Sequence, residues 1–367
     1  MIRLTPARLV TVLGVSTAAL VLIVLGALAT GPAPLSIPEV FRALVLGEGS
    51  EATRDIVLGV RLPRVVLGLL VGAALATAGA VFQALLRNPL AEPGVVGISA
   101  TGALGAVLAF YSGASARLAL ALPLGGLLGA LAGIAVLALG GIVALPTQSV
   151  PVAAFVGGIV ATGLLYWVSG GRGGSGPTGL LLTGVVFNAV ASAGIVFLAS
   201  IAGFFEGSRI FLWLIGQLSA VEIDAAGLVA ASVILGLGVA CVLARSLNLL
   251  ALGDESASEL GVPVDAHRRA LLLATSLMVG AAVSVSGLIG FVGLIVPHAL
   301  RLVIGSDHRL LVPATAICGA GFLVLSDTLA RSLIDGRELP VGAVTALLGG
   351  PLFILLLRRS QSRSRLP

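Results

Sequence analysis

The chain has 367 residues, of which 58% are hydrophobic and 10% charged, and its formal net charge is +5. So large an apolar share excludes a soluble globular domain and predicts an all-α polytopic membrane protein. All 21 basic residues are arginine, so the chain has neither a P-loop lysine nor a Schiff-base amine, and any ATP-driven step would need another subunit.

Apolar runs of membrane-spanning length, about 20 residues, recur along the whole chain. Breaks rich in Pro, Gly or charge divide them into about ten predicted spans: 9–30, 62–86, 95–112, 148–169, 180–200, 224–245, 268–286, 289–304, 311–329 and 339–357. The first run is long for a signal peptide, so we expect it to be retained; a cleaved signal is the alternative. We expect a single transmembrane domain over 1–367.

The arginines predict the orientation of these spans, because short cytoplasmic loops carry the excess of positive charge. With the N-terminus inside, thirteen of the 21 arginines fall inside and eight outside. Both termini are therefore predicted to be cytoplasmic. The apolar region 116–146 does not fit this layout, and an extra pass, a re-entrant hairpin and an extension of the third helix all remain open.

A faint internal repeat links two parts of the chain. VGAALATAG at 71–79 and VGAAVSVSG at 279–287 share VGAA, a later Gly and a Pro at the same offset. Copies five helices apart run in opposite directions, which indicates an inverted repeat; chance similarity between Gly- and Ala-rich helices is the alternative. The predicted parts are a first helix and outer segment (1–60), a first repeat (61–200), a connecting helix and cytoplasmic loop (201–267), a second repeat (268–357) and a tail (358–367).

Polar residues follow the first of these copies at informative positions. Gln83 shares a helix face with small residues, so it is predicted to point into the bundle. Asn88-Pro89 should then end the helix, because Pro lacks an amide donor and disfavours helical geometry in the residue before it. Non-helical backbone there must be shielded by protein or line a cavity; a plain interfacial turn is the alternative.

Four blocks carry a resemblance to a known family: RLPRVVLGLLVGAALATAGAVFQALLRNPLAEPGVVGISATGALGAV, LALGDESASELGV, GFVGLIVPHALRLVIGSDHRLLVPA and LSDTLARSLIDGRELPVGAVTALLGGPLF. They closely resemble FecCD permeases, the membrane subunits of bacterial ATP-driven importers of ferric siderophores, haem and vitamin B12. The resemblance implies the type II ABC importer architecture in the cytoplasmic (inner) membrane, with ten helices and a homodimer around the pathway. It also implies two ATPase subunits, which bind ATP and magnesium, and one substrate-binding protein outside.

The resemblance also implies roles for particular residues. Asn88 and Leu90 would lie at the cytoplasmic gate, with Thr178 as a further gate residue. Gln83 is counted as a gate residue with them because its predicted helix face points into the bundle. Arg61, Arg64 and Arg331 would dock carboxylates of the binding protein, since Arg grips a carboxylate with two parallel bonds. An i,i+4 pair with Asp327 is the alternative for Arg331, and interfacial anchoring is the alternative for the other two.

The segment GDESASELG at 253–261 is predicted to be a short polar helix, with Asp254 as N-cap and Gly261 as C-terminal stop. In the family this segment couples to the ATPase, and an ordinary cytoplasmic loop is the alternative. The expected contact residues are Gly253, Asp254, Glu255, Ser256, Glu259 and Gly261.

The cargo is the least determined feature. The chain looks closest to haem permeases, so we expect haem, with a ferric siderophore or vitamin B12 as alternatives. His298 and His308 invite a haem-ligand interpretation, but no metal motif surrounds them, and we expect neither a metal site, a resident cofactor, a nucleic-acid partner nor covalent catalysis. An ion-coupled secondary transporter is a remote alternative, and an intramembrane protease would need a buried catalytic constellation that the sequence lacks.

Overall fold

The computed structural model describes residues 5–94, 97–114, 149–168, 177–218, 223–334 and 337–364, which are almost entirely helical. In chain order the helices are α1 (Pro6–Ala29), α2 (Ile37–Phe41), α3 (Glu51–Arg54), α4 (Leu62–Leu85), α5 (Ile98–Ala114), α6 (Ser149–Val168), α7 (Pro177–Ile201), α8 (Phe204–Leu214), α9 (Ile223–Val242), α10 (Ala244–Leu250), α11 (Asp254–Glu259), α12 (Val264–Ser286), α13 (Val292–Ile304), α14 (His308–Ser332) and α15 (Val341–Ser364). The π-helical segments Arg42–Leu46 and Asp55–Arg61 continue α2 and α3, and the second runs directly into α4.

The apolar helices match the ten predicted spans, and each begins within four residues of its predicted start. Five of them, α1, α4, α7, α12 and α14, are long and apolar enough to cross a membrane. Helices α9 and α10 form a sixth candidate span that bends by 61°. The apolar parts of α5, α6, α13 and α15 are shorter. The region 116–146 lies outside the described residues.

Local sequence signals fix several helix starts. The Thr5 side chain accepts a hydrogen bond from Arg8 N, and Pro6 follows at the first helical position of α1. Ser36 and Glu39 form a reciprocal capping box at α2. The Asp307 side chain caps α14 by accepting from Arg309 N. These caps satisfy backbone donors that the first turn of a helix leaves unpaired.

Helices α4 and α14 form an antiparallel pair at the centre of the bundle. Arg64, near the start of α4, pairs with Asp327, near the end of α14. Further along, a Cβ built on Gly72 would lie 2.3 Å from Gly319 O. Only glycine permits such close backbone contact, and small-residue interfaces of this kind are how helices pack in a membrane.

The packing of the central helices is reciprocal. Helix α4, which holds the first VGAA copy, packs on α13 and α14, while α12, which holds the second copy, packs on α5 and α6. Under the predicted repeat, α4 corresponds to α12, α5 to α13 and α6 to α14. In that correspondence, each half lays the helix with the VGAA copy against the next two helices of the other half.

Candidate functional site

The end of α4 is the first part of the candidate site. Arg87 N donates to Ala84 O at 3.2 Å and Asn88 N to Gln83 O at 3.2 Å, the two bonds of a Schellman motif. Arg87 has a φ of +48°, the left-handed conformation that this motif requires and that glycine usually supplies. The helix therefore ends where Asn88-Pro89 predicts, with an arginine in a glycine position.

The predicted gate residues Asn88 and Leu90 form a tight turn just beyond this helix end. Asn88 Oδ1 accepts from Leu90 N at 2.9 Å, and Asn88 O accepts from Ala91 N at 3.1 Å. The Asn88 side chain thus shapes the turn that presents Leu90, whose side chain is 44% exposed. Asparagine suits this role because its side chain readily bonds the backbone two residues on.

After this turn the chain folds back along α4. A Cβ built on Gly293 would lie 2.7 Å from Leu75 O and 2.9 Å from the Pro93 ring, so Pro93 lies at the level of Leu75. Leu75 is ten residues before the end of α4, roughly 15 Å along its axis at 1.5 Å per residue. The next helix, α5, therefore begins part-way along α4 rather than at its end.

A second non-helical segment meets the first at this depth. The loop between α12 and α13 ends at Phe291, whose N–H donates to Glu92 Oε2 at 3.2 Å. Phe291 has a φ of +68°, so the bond holds a strained residue. A cavity of about 320 Å³ lies beside these segments, and Glu92, Ser99, Asn188 and Ser192 are among its lining residues. Non-helical backbone is here shielded by protein and lines a cavity.

Gln83 forms hydrogen bonds between α4 and α13. It is only 4% exposed, and its amide nitrogen donates to Gly293 O and Leu294 O, both at 3.2 Å. Its amide oxygen accepts from Arg301 Nη1 at 2.9 Å. Gln83 points into the bundle as predicted, and its contacts join the end of α4 to the start of α13.

The fourth predicted gate residue, Thr178, lies in the first turn of α7 with its side chain exposed. The glycine-rich segment 169–176 before it lies outside the described residues. The structure therefore places Thr178 at the start of α7, and the residues that precede this helix lie outside the described part of the chain.

The three predicted docking arginines meet around the end of α1 and Asp327. Arg61 is 4% exposed, and its guanidinium donates to the carbonyls of Leu28 (2.6 Å), Ala29 (3.0 Å) and Ala33. It thereby satisfies carbonyls at the C-terminal end of α1, which no helical amide reaches. We call the end of the bundle that holds this cluster the Asp327 end.

Asp327 forms ion pairs with two of the three arginines. Its carboxylate accepts from Arg64 Nη2 at 3.0 Å and from Arg331 Nε at 3.1 Å, the latter being the i,i+4 pair weighed from the sequence. Arg64 also pairs with Glu338 at 2.8 Å, and the Glu338 side chain is 56% exposed. Asp327 and Arg331 are almost fully buried, so their ion pair lies inside the protein, within a network in which three arginines meet the two carboxylates of Asp327 and Glu338.

The predicted coupling helix is α11. It ends in a Schellman motif in which Gly261 N donates to Ser258 O and Val262 N to Ala257 O, both at 2.9 Å. Gly261 has a φ of +81°, which confirms it as the C-terminal stop. The prediction that Asp254 is the N-cap is wrong: Gly253 occupies that position, with a φ of +139°, and Asp254 is the first helical residue.

The displacement of Asp254 from the cap frees its carboxylate for ion pairs. Asp254 Oδ1 accepts from Arg87 Nη2, and from Arg268 Nη2 at 2.7 Å. The other predicted contact residues, Glu255, Ser256 and Glu259, have exposed side chains. The helix thus presents a polar outer face while its first residue is bonded to the segment that follows α4. We call this end of the bundle the Asp254 end.

The histidines lie in two separate environments. His308 Nδ1 lies 2.7 Å from Asn248 Oδ1, while the His298 ring meets Phe353 edge-on at 6.0 Å. Near His308, the Arg309 side chain holds the pKa of the Asp307 carboxyl well below its usual range. Among the residues that the structure describes, no three His, Cys, Asp or Glu side chains come together in a way that could hold a metal ion.

The match to a family model decides the identity of this fold. The model of the FecCD transport family matches residues 19–143 and 130–359, which is most of the chain. The chain belongs to the FecCD transport family. It is a multi-pass membrane permease of the ABC importer class, and the ion-coupled alternative is set aside.

Individual relatives of this FecCD chain agree over nearly its full length. It is 40% identical to the hemin transport system permease protein HmuU of Yersinia pestis over 94% of the chain and 95% of that protein. It is 39% identical to the cobalamin import system permease protein BtuC of Halobacterium salinarum over 86% of the chain and 77% of that protein. An inward-facing structure of an ABC transporter, described as metal-chelate type, matches with a TM-score of 0.79 and 28% identity over 95% of this chain and 99% of the other.

Three residues of the FecCD site were not predicted as site residues. The sequence marks Arg87 only as one of the arginines predicted to lie inside, although its neighbours Asn88 and Leu90 are predicted gate residues. Glu92 lies between the predicted spans 62–86 and 95–112, and no local pattern indicates that this segment folds back. Glu338 joins the arginine network, and its only sequence signal is a carboxylate shortly after the end of α14.

Proposed function

We propose that the chain is the translocation subunit of an importer that carries haem across the bacterial cytoplasmic membrane by alternating access between two copies of itself. The single observation that carries this cargo is the similarity to a hemin permease along almost the whole of both chains. A ferric siderophore and vitamin B12 remain the alternatives, since a cobalamin permease is nearly as similar.

Alternating access needs a gate that can move between two positions. The Asn88–Ala91 turn suits this role because its hydrogen bonds lie within the turn itself, and because the turn presents the exposed side chain of Leu90. In a pair of copies, two Leu90 side chains would face each other across the pathway and close it to water. Thr178, exposed at the start of α7, would extend the same constriction.

Energy would come from two separate ATPase subunits, which bind ATP and magnesium. The proposed contact is α11, because its exposed Glu255, Ser256 and Glu259 form a polar surface flanked by the exposed apolar side chains of Leu252 and Leu260. A mixed surface of this kind suits a protein partner. The Asp254 end would then be cytoplasmic, which agrees with the sequence-based prediction that both termini lie inside.

The substrate-binding protein would dock at the Asp327 end. The internal network sharpens this proposal: Glu338 is exposed and accepts from Arg64, so a carboxylate of the binding protein would compete with Glu338 for that guanidinium. Arg61 and Arg331 are more deeply buried and would act by holding the end of α1 in place.

Docking is tested by measuring the affinity of the binding protein for the purified permease. Glu338→Gln should raise the affinity because it frees one donor of Arg64, while Arg64→Gln should lower it. Arg54→Gln, an exposed arginine on α3, is the matched control. Equal affinities for all three variants and the wild type would exclude docking on this network.

The cargo is tested by uptake into proteoliposomes that hold the permease with its ATPase, in the presence of the cognate binding protein. Haem, a ferric siderophore and cobalamin are supplied separately at equal concentration. We expect ATP-dependent accumulation of haem at least tenfold above the other two. Preferential uptake of either alternative would replace haem as the cargo, and uptake of none would reject the importer function for all three.

A further inference from the structure

We infer that Arg87 is the positioning residue that transmits movement of α11 to the Asn88–Ala91 turn. The inference rests on the proposed function, in which the ATPase moves α11, and it names the side chain that makes the gate respond. It assigns a role to a residue adjoining the gate rather than to the gate itself.

Two contacts carry the inference. The Arg87 guanidinium pairs with Asp254, the first residue of α11, and its Nε donates to Leu250 O at 3.3 Å, the last residue of α10. One arginine therefore bonds both helices that flank the short connection 251–253. Any movement of α11 relative to α4 must displace this side chain or break its bonds.

The backbone of Arg87 supports the same role independently. Arg87 takes the left-handed conformation that closes the Schellman motif of α4, whereas α11 uses Gly261 in the corresponding place. A side chain in this conformation is strained, and strained residues cluster at switch regions. Glycine would make the same turn without strain, so the arginine side chain must supply something that the turn itself does not need.

The geometry also explains how displacement would reach the gate. Asn88 follows Arg87 directly, and its N–H is bonded to Gln83 O, so rotation at Arg87 either moves the turn or breaks the helix end. Asp254 is shared with Arg268, in the first turn of α12, so α11 has an anchor on each side. If one of these two ion pairs breaks, the other still holds Asp254. Helix α11 can then move about the remaining ion pair.

Stability is not the main contribution of this pair. The Arg87 and Asp254 side chains are 35% and 37% exposed, and ion pairs this accessible add little to the free energy of unfolding. Variants that lose the pair are therefore expected to fold, and their effects on transport can be measured.

The experiment follows the movement of α11 and of the Asn88–Ala91 turn in the complex of the permease with its ATPase. Spin labels are placed at residue 258, an exposed position on α11 outside the proposed contact residues, in one preparation and at residue 90 in another, after Cys241 and Cys318 are replaced by serine; haem uptake and ATP hydrolysis are measured on unlabelled protein. Distances between the two copies are measured without nucleotide and with ATP plus vanadate. The variants are Arg87→Gly, which keeps the left-handed backbone, Arg87→Lys, which keeps the charge, and Arg245→Gln, an exposed arginine on α10, as the control.

In the wild type and in Arg245→Gln, both labels should shift with nucleotide. In Arg87→Gly, the label at 258 should still shift, the shift at 90 should fall at least twofold, and haem uptake per ATP hydrolysed should fall at least tenfold. Arg87→Lys should recover part of both. If the label at 90 keeps following the label at 258 in Arg87→Gly, the inference is wrong. If the label at 258 ignores nucleotide even in the wild type, the proposed ATPase contact fails first, and the inference fails with it.

Discussion

Replacing Gly79 by alanine should loosen the junction between α4 and the start of α13. A Cβ built on Gly79 lies 1.9 Å from Gly293 O, whereas ordinary contact begins at 3.4 Å, so the two segments would have to part by about 1.5 Å. Gln83, one turn later on α4, donates to Gly293 O and Leu294 O at 3.2 Å, and this separation would break both bonds.

The expected cost follows from these contacts. Overpacking costs about 1–3 kcal/mol, two hydrogen bonds contribute about 0.5–1.5 kcal/mol each, and the change from glycine to alanine returns about 1 kcal/mol of helix propensity. The net loss is about 3 kcal/mol. Gly238→Ala in α9 is the control, since an added Cβ there meets no described atom within 4 Å.

Thermal unfolding of the purified permease in detergent, followed by tryptophan fluorescence, measures the difference. Because both variants gain the same helix propensity, they should differ by about 4 kcal/mol, and we expect Gly79→Ala to lower Tm by about 5 °C relative to Gly238→Ala. Equal melting temperatures would show that the close contact does not limit stability. The same variant should also lose transport activity, because the junction holds the start of α13 beside the segment after Asn88 that folds back along α4.

Three further changes test other parts of the molecule. Asp327→Asn should destabilise the fold by about 3–5 kcal/mol, because it leaves the buried charge of Arg331 without a carboxylate and Arg64 with only the exposed Glu338, while Glu338→Gln, on the exposed side of the network, should barely change Tm; equal Tm values for the two would contradict this. Gly261→Ala should destabilise the end of α11 by about 1 kcal/mol because alanine resists a positive φ, and hydrogen exchange of the amides in 257–262 should accelerate; unchanged exchange would count against it. Glu259→Arg should abolish substrate-stimulated ATP hydrolysis while the mass of the permease dimer stays the same, and normal hydrolysis would exclude α11 as the ATPase contact.

The helices of this fold could be predicted from the sequence because the signal is local. Apolar runs give the spans, Asn88-Pro89 marks the end of α4, and Gly261 marks the end of α11. The i,i+4 spacing of Asp327 and Arg331 likewise indicates their pair. Each of these features is decided within a few residues, so no tertiary information is needed.

The site could be predicted only in part because its contacts join distant parts of the chain. Glu92 bonds a residue 199 positions away, and Arg87 pairs with one 167 positions away. Nothing local distinguishes the loop containing Glu92, which folds back along α4, from an interfacial turn. The misplaced N-cap has the same origin: Asp254 favours a cap by propensity, but two arginines from other elements hold its carboxylate elsewhere.

The central claim is that ATP acting at the Asp254 end drives import of haem toward that end. The most direct measurement uses proteoliposomes with the permease in one orientation, ATP supplied only on the side of α11, and binding protein with haem on the other side. The account predicts that haem accumulates on the ATP side and that vanadate stops it. Accumulation that needs ATP on the Asp327 side, or that proceeds without ATP, would contradict the account.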